Sequence, residues 1–177
     1  MKIAEIIEAF VADNEWDDEV EKNEETGEST LATHIGICNQ SFELYVEGDE
    51  ETEWLSLFLY PPFKVIEGKF VDACMLFNYL NDNYMYRGRI TVTDTGRIRY
   101  KEIIDTEHLS LSIAMIHNML FSGLKLFEHN MEAIAAVALT NRGYESIRKE
   151  YDKKEADRAS HAQKGDKTVG DTTSDEQ

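Results

Sequence analysis

The chain has 177 residues, 42% of them hydrophobic, with 18 lysines and arginines against 35 aspartates and glutamates, a formal charge of −17. That length suits one domain with a real core, and a charge so negative repels nucleic acid and anionic lipid as a whole. No run of about 18 apolar residues is present to cross a membrane, and MKIAEIIEAF, with its acids and no small-residue cleavage site, does not read as a signal peptide, so a cytoplasmic protein is expected.

In residues 3–13, Ile3, Ile6, Ile7, Phe10 and Val11 recur at helical spacing opposite Glu5 and Glu8, which predicts an amphipathic first helix. Asp13 to Glu28 then holds nine acids and one lysine, with an edge strand or loop expected around Glu15 to Asn23 and a turn at Glu25-Thr26-Gly27. Within it, Asp13, Glu15, Asp17, Glu19 and Glu24 fall at calcium-loop spacing. The position that needs glycine is Asp18, so the reading is a solvated acidic loop and no metal.

Three strand-like runs follow. TLATHIGIC spans Thr30 to Cys38. FELYVE, from Phe42 to Glu47, alternates apolar and polar residues. EWLSLFLY, from Glu53 to Tyr60, is apolar on both faces, with Leu55, Leu57 and Leu59 on one and Trp54, Phe58 and Tyr60 on the other, until Pro61-Pro62 stops it. Residues 65–82 predict a second helix with a stripe at Ile66, Phe70, Cys74 or Ala73, Phe77 and Leu80. Cys38 and Cys74 sit among apolar residues and are expected as buried free thiols.

Next comes RGRITVTDTGRIRYK, Arg87 to Lys101, with five basic residues and one acid, Asp94, in a chain that is otherwise acidic. It reads as a hairpin turning at Thr93-Asp94-Thr95-Gly96. Strand side chains alternate with period two. Arg87, Arg89, Arg97, Arg99 and Lys101 are odd-numbered, while Ile90, Val92, Ile98 and Tyr100 are even, so one face is basic and the other is core. Three readings apply to the basic face. It is solvated and neutralised by acids such as Glu43 and Glu47, or it docks an acidic segment of a partner or of residues 13–28, or it binds nucleic acid. The last needs aromatics on the basic face, and the hairpin's own are only Tyr86 and Tyr100, the latter core-facing.

A long third helix is expected over residues 105–130, starting near Asp105 or Ser110, and a fourth over 131–151, which Gly143 interrupts or ends. The third carries two apolar stripes, one through Leu109, Ile113, Ile116, Leu120, Leu124 and Phe127 and one through Leu111, Met115, Met119 and Leu126. Internal packing, a homodimer partner or a client groove would cover the second stripe. From about Asp152 the chain has too few apolar groups to offset its ordering entropy, so residues 151–177 are expected as a disordered polar tail after a single domain at 1–150. The fold class is therefore α+β, in the order α-β-β-β-α-β-β-α-α, with helices on an antiparallel sheet of five or six strands. Catalytic signatures are missing. There is no GxSxG, GxxxxGK[ST], GxGxxG or HExxH, and no histidine lies at zinc spacing from another histidine or cysteine, so no enzyme and no cofactor is expected.

The stretch from Phe77 to Leu120 resembles the YbjN-like family of bacterial proteins. The pattern is a helix ending in an asparagine-bearing turn (Asn78, Asn81), a strand (Arg89 to Thr93), a turn with Asp94 and Gly96, a strand ending in a basic residue (Ile98 to Lys101), and a long helix from Leu109. The resemblance implies the fold of type III secretion chaperones, often dimeric, without catalytic residues, and a role in binding or in sensory-transduction regulation. It carries over no functional residue. The partner expected is another protein or peptide segment, with Arg87, Arg89, Arg97, Arg99, Lys101, Trp54, Phe58 and Tyr60 as the residues that meet it. The alternatives are a secretion chaperone holding an effector segment and a small-ligand-binding regulator.

Overall fold

The structure, a computed structural model, describes residues 2–85 and 87–166, with the backbone alone at 158–166. In chain order the elements are α1 (Ile3–Asp13), β1 (Val20–Asn23), β2 (Glu28–Ile37), β3 (Gln40–Asp49), β4 (Trp54–Tyr60), α2 (Phe70–Tyr84), β5 (Arg89–Val92), β6 (Ile98–Asp105), α3 (Ile113–Leu139) and α4 (Tyr144–Asp166). The six strands form one antiparallel sheet in the order β1-β2-β3-β4-β6-β5. The acidic stretch thus supplies one edge and the basic hairpin the other.

Alternation gives each strand an inner and an outer face. The inner face presents Leu31, Phe42, Leu44, Val46, Leu55, Leu57, Leu59, Ile90, Ile98 and Tyr100, all buried. Helices α1, α2 and α3 cover this side. Ile3 of α1 abuts Gly48, Phe127 of α3 meets Phe42 edge-on at 4.9 Å, and Asn81 of α2 exchanges 2.9 Å hydrogen bonds with the backbone of Ile90. Where α3 crosses the sheet it has Gly123. A Cβ there would lie 2.6 Å from Leu59 Cδ1 and 2.7 Å from Tyr100 Cδ1.

Several expectations need correction. The second helix begins at Phe70, not residue 65, and its buried side is Ala73, Leu76, Phe77, Tyr79 and Leu80. Ile66 and Phe70 are exposed. Both cysteines are exposed as well. Cys38 occupies a two-residue hairpin turn with Asn39, both at positive φ, and Cys74 follows the buried Ala73 onto the solvent side of α2. The third helix starts at Ile113, which leaves Leu109 outside it and exposed. It does not break at residue 130 but runs to Leu139. Asn130 is tolerated in mid-helix because its amide donates to the Leu126 carbonyl oxygen at 2.9 Å and its oxygen accepts from Tyr151 Oη at 2.8 Å. The break comes at 140–143, just before α4.

Helix α4 also passes the Asp152 boundary at which a disordered tail was expected, and residues 167–177 lie outside the described residues. It docks through a buried lysine. Lys69 Nζ donates to Asp72 Oδ2 at 2.6 Å and to the Arg142 carbonyl at 2.7 Å, and the Tyr144 N–H donates to Asp72 Oδ1 at 2.7 Å. The Lys69 hydrogen bond, then that of Tyr144, holds the Asp72 carboxyl below its ordinary range. Ile147 of α4 is buried, and the Arg148 guanidinium lies 4.2 Å over the Tyr79 ring.

Tyr100 is the largest fully buried side chain. Its hydroxyl donates to Glu102 Oε2 at 2.6 Å, and Arg87 Nε meets Glu102 Oε1 at 3.1 Å, so the buried carboxylate is paired on both oxygens. Burial, then the Glu102 hydrogen bond, pushes the Tyr100 phenol well up. Burial also pushes Tyr84 up, and Tyr151 up to about 12.

Gly123→Ala should cost about 1–3 kcal/mol through overpacking against Leu59 and Tyr100. The check is the urea midpoint, and an unchanged midpoint would place α3 further from the sheet. The phenols set a second expectation. A phenol that keeps its proton in the fold after the unfolded chain has lost it contributes stability below about pH 10 that disappears as pH rises further. Stability should therefore fall above that pH, and Tyr100→Phe should flatten the slope of unfolding free energy against pH. Equal slopes in the two proteins would rule out that linkage.

Candidate protein-binding face

The outer face of the sheet has no helix on it among the described residues. Register places its side chains in rows. Ala32, Tyr45, Phe58, Lys101 and Arg89 form one, and His34, Glu43, Tyr60 and then Arg99 with Thr91 form the next. The aromatic face of β4 and the basic face of the hairpin are therefore the same surface.

The arginines lie on the aromatics. Arg97 Cζ sits 4.2 Å from the Tyr60 ring centroid, and Arg99 Cζ sits 5.6 Å from that of Phe58. Each such contact is worth roughly 0.5–1 kcal/mol at an exposed site. Arg97 reaches past β4 to β3, where Nη2 is 3.0 Å from both oxygens of Glu43. Arg99 Nε donates to Thr91 Oγ1 at 3.2 Å. Tyr45 packs edge-on against Tyr60 with centroids 5.8 Å apart and donates to Glu43 Oε2, and that hydrogen bond, then burial, raises its phenol. Glu47 is raised by burial first and by neighbouring Glu28, against the pull of Arg99. Trp54 is half-buried opposite Asp49 and Asp105, and Ile103 on β6 is 49% exposed.

Seven of the eight expected residues share this face: Arg89, Arg97, Arg99, Lys101, Trp54, Phe58 and Tyr60. Arg87 does not. It precedes β5, and Gly88 at φ +56° breaks the alternation, which turns Arg87 to the inner-facing Glu102. The acidic segment 13–28 does not dock on the basic ribbon. It lies at the β1 end, with Lys22 on Glu8 at 2.5 Å, Asp13 on His117 at 2.8 Å and Asp18 on Thr33 at 2.9 Å. Among the described residues no group of three metal-ligating side chains converges. The hairpin's own sequence puts no aromatic on its basic face. The rings come from β4, which is hydrogen-bonded to β6, and Tyr45 joins them from β3, so neither is visible in the hairpin alone.

A helix-backed antiparallel sheet with one open face makes this an α+β protein. A family model described as "Putative bacterial sensory transduction regulator" matches residues 4–128, and the chain belongs to this family, YbjN. The end of α3, the break after it and helix α4 lie beyond that match. No curated protein matches the chain. Among solved structures it is similar to a chain of the ExsC–ExsE complex, with 14% identity, a TM-score of 0.50, and coverage of 76% of this chain and 97% of that one. It is also similar to a chain of the HopA1–SchA chaperone–effector complex, with 18% identity, TM-score 0.49, and 72% and 91% coverage. A third is the Yersinia pestis type III secretion chaperone SycH in complex with a stable fragment of YscM2, with 15% identity, TM-score 0.44, and 67% and 91% coverage. Among the described residues no helix is long and apolar enough to cross a membrane.

The cation stacking makes one prediction. Tyr60→Ala removes the ring on which Arg97 rests. It should lower stability by more than Arg97→Ala does, since ring burial outweighs an exposed ion pair of about 0.2–1 kcal/mol. Thermal unfolding of both variants checks this. An equal loss in each would mean that the ion pair stabilises the face as much as the ring does.

Proposed function

We propose that this protein is a non-enzymatic, cytoplasmic, chaperone-like or regulatory binding protein that holds an acidic, extended segment of another protein on its outer sheet face. The observation that carries this reading is the stacking of Arg97 and Arg99 on Tyr60 and Phe58, with Lys101 and Arg89 beside them. Aromatic rings supply apolar contact at low entropic cost, and the overlying guanidiniums meet carboxylates bidentately. A strand-like segment alternating acidic and apolar residues matches such a surface, because its side chains repeat with the spacing of the sheet beneath it. The −17 charge of the whole chain selects against a nucleic-acid competitor. The ExsC–ExsE structure is a complex of two proteins, which agrees with a binding role for this fold.

One observation favours a second reading, a homodimer through the same face. Glu28, Glu43, Glu47 and Asp49 lie on its β2–β3 half, and Arg89, Arg97, Arg99 and Lys101 on its β5–β6 half, with the β4 aromatics between them. A two-fold axis along β4 would set each half against its opposite.

The test uses a labelled peptide alternating glutamate and leucine, its lysine–leucine counterpart, and fluorescence anisotropy on the full chain. The glutamate peptide should bind, weaken with salt, and lose roughly tenfold or more in affinity to R97E/R99E, on the scale of charged hydrogen bonds. Circular dichroism should show that variant folded. Equal affinity for both peptides, or an unaffected variant, contradicts the reading. Sedimentation velocity in low salt decides the second one: a monomer at every concentration excludes the homodimer.

A further inference from the structure

On the helical side of the molecule a cleft of about 470 Å³ opens between α3, the end of α2 and the residues entering β5. Its polar wall is a single stripe of α3. Asn118, Ser122, Lys125 and His129 follow one another at spacings of four, three and four residues, which keeps them on one line along the helix. Arg87 closes the opposite wall. Among the described residues the cleft is lined by Arg87, Lys125 and His129 and by no carboxylate, in a chain with 35 acids.

The cations are placed rather than scattered. Glu102 holds Arg87 from behind through Nε at 3.1 Å. The His129 Nδ1–H donates to the Lys125 carbonyl oxygen at 2.8 Å, which fixes that tautomer and leaves Nε2 as the ring's other polar atom. The apolar lining is Met85, Leu126 and Phe121, and Phe121 is 55% exposed at the rim, stacked on His117 with centroids 6.1 Å apart. Beyond Tyr84 and His129 a second chamber of about 300 Å³ is lined by charges of both signs, Glu132, Glu150 and Glu155 with Arg142 and Lys154.

We infer that this cleft is a binding site for a small anionic molecule with an apolar body, its carboxylate or phosphate held by Arg87, Lys125 and His129 and its apolar part laid on Leu126, Met85 and Phe121. A few convergent polar groups on a mostly apolar wall are the ordinary make-up of a small-molecule site. Such a site would join the α2–β5 connection to α3 and, through Tyr84, to α4, whose Glu155 accepts from Tyr84 Oη at 2.9 Å.

The experiment titrates naphthoate, and neutral naphthol as its matched control, into the isotope-labelled full chain and follows backbone amide shifts. Naphthoate should shift amides of residues 118–130 saturably, and more tightly than naphthol by roughly tenfold, the scale of one charged hydrogen bond. Lys125→Glu and His129→Glu each replace an exposed side chain, and each should weaken naphthoate by about that factor. Lys149→Glu makes the same charge change elsewhere on the surface and should leave binding intact. Shifts confined to other regions, no saturable shifts, equal affinity for naphthol, or full binding by Lys125→Glu and His129→Glu would each overturn the inference. Because Lys125 and His129 lie on α3, away from Arg97, Arg99 and the β4 aromatics, failure of peptide binding on the outer face would leave this result standing.

Discussion

Strand β4 is apolar on both faces, and helices cover only one of them. Leu55, Leu57 and Leu59 are fully buried on the helical side, while Trp54, Phe58 and Tyr60 stay half-buried on the other. The inner face explains the order of the whole domain. Glycine at 123 lets α3 cross close to Leu59 and Tyr100, and α1 and α2 fill the flanks. The outer face explains why this fold has surface to spare. A large aromatic patch facing water needs a cover, and here the cover available within the chain is the arginine and tyrosine side chains themselves.

Electrostatics then decide what the surface can meet. The chain is acidic overall, and besides the cations along α4 it sets two groups of them, one on the β5–β6 half of the outer face and one in the cleft on α3. Both gatherings are supported by aromatic or apolar groups, and a guanidinium resting on a ring is less hydrated and better oriented than one in water. The ion pair of Arg97 with Glu43 spans β4, so the partial neutralisation expected of Glu43 is real but reaches across a strand. Arg99, Lys101 and Arg89 keep no such carboxylate contact within ion-pair distance among the described residues.

Much of the fold could be read from alternation and helical period. Helix α1 and the antiparallel pairing of β2, β3 and β4 follow from local patterns alone, as does the parity of the basic hairpin. What could not be read depends on tertiary contacts. The third helix is expected to end at residue 130, and it continues with Asn130 held by the Leu126 carbonyl four residues back and by Tyr151, 21 residues on. Cys38 looks buried because it follows an apolar run, but a turn at positive φ carries it to solvent. Polar α4 looks too hydrophilic to order, and its anchors are single residues, Ile147 and Tyr151, with the Lys69–Asp72–Tyr144 junction from elsewhere. The candidate face is half legible. Parity finds the arginines and the aromatics separately, while the pairing of β4 with β6, which joins them, is a non-local fact. Arg87 falls outside the face because one glycine resets the parity.

The most direct measurement is site-specific photocrosslinking in the native host, with a photoreactive side chain at Ile103 on the outer face and, as comparison, at Glu128 on the solvent side of α3. Both positions are exposed, so neither substitution disturbs the core. The account predicts a discrete crosslink to another polypeptide from position 103, lost when Arg97 and Arg99 are reversed to glutamate, and none from position 128. Crosslinks of equal strength from both positions, or from 128 alone, would contradict a binding role for the open sheet face.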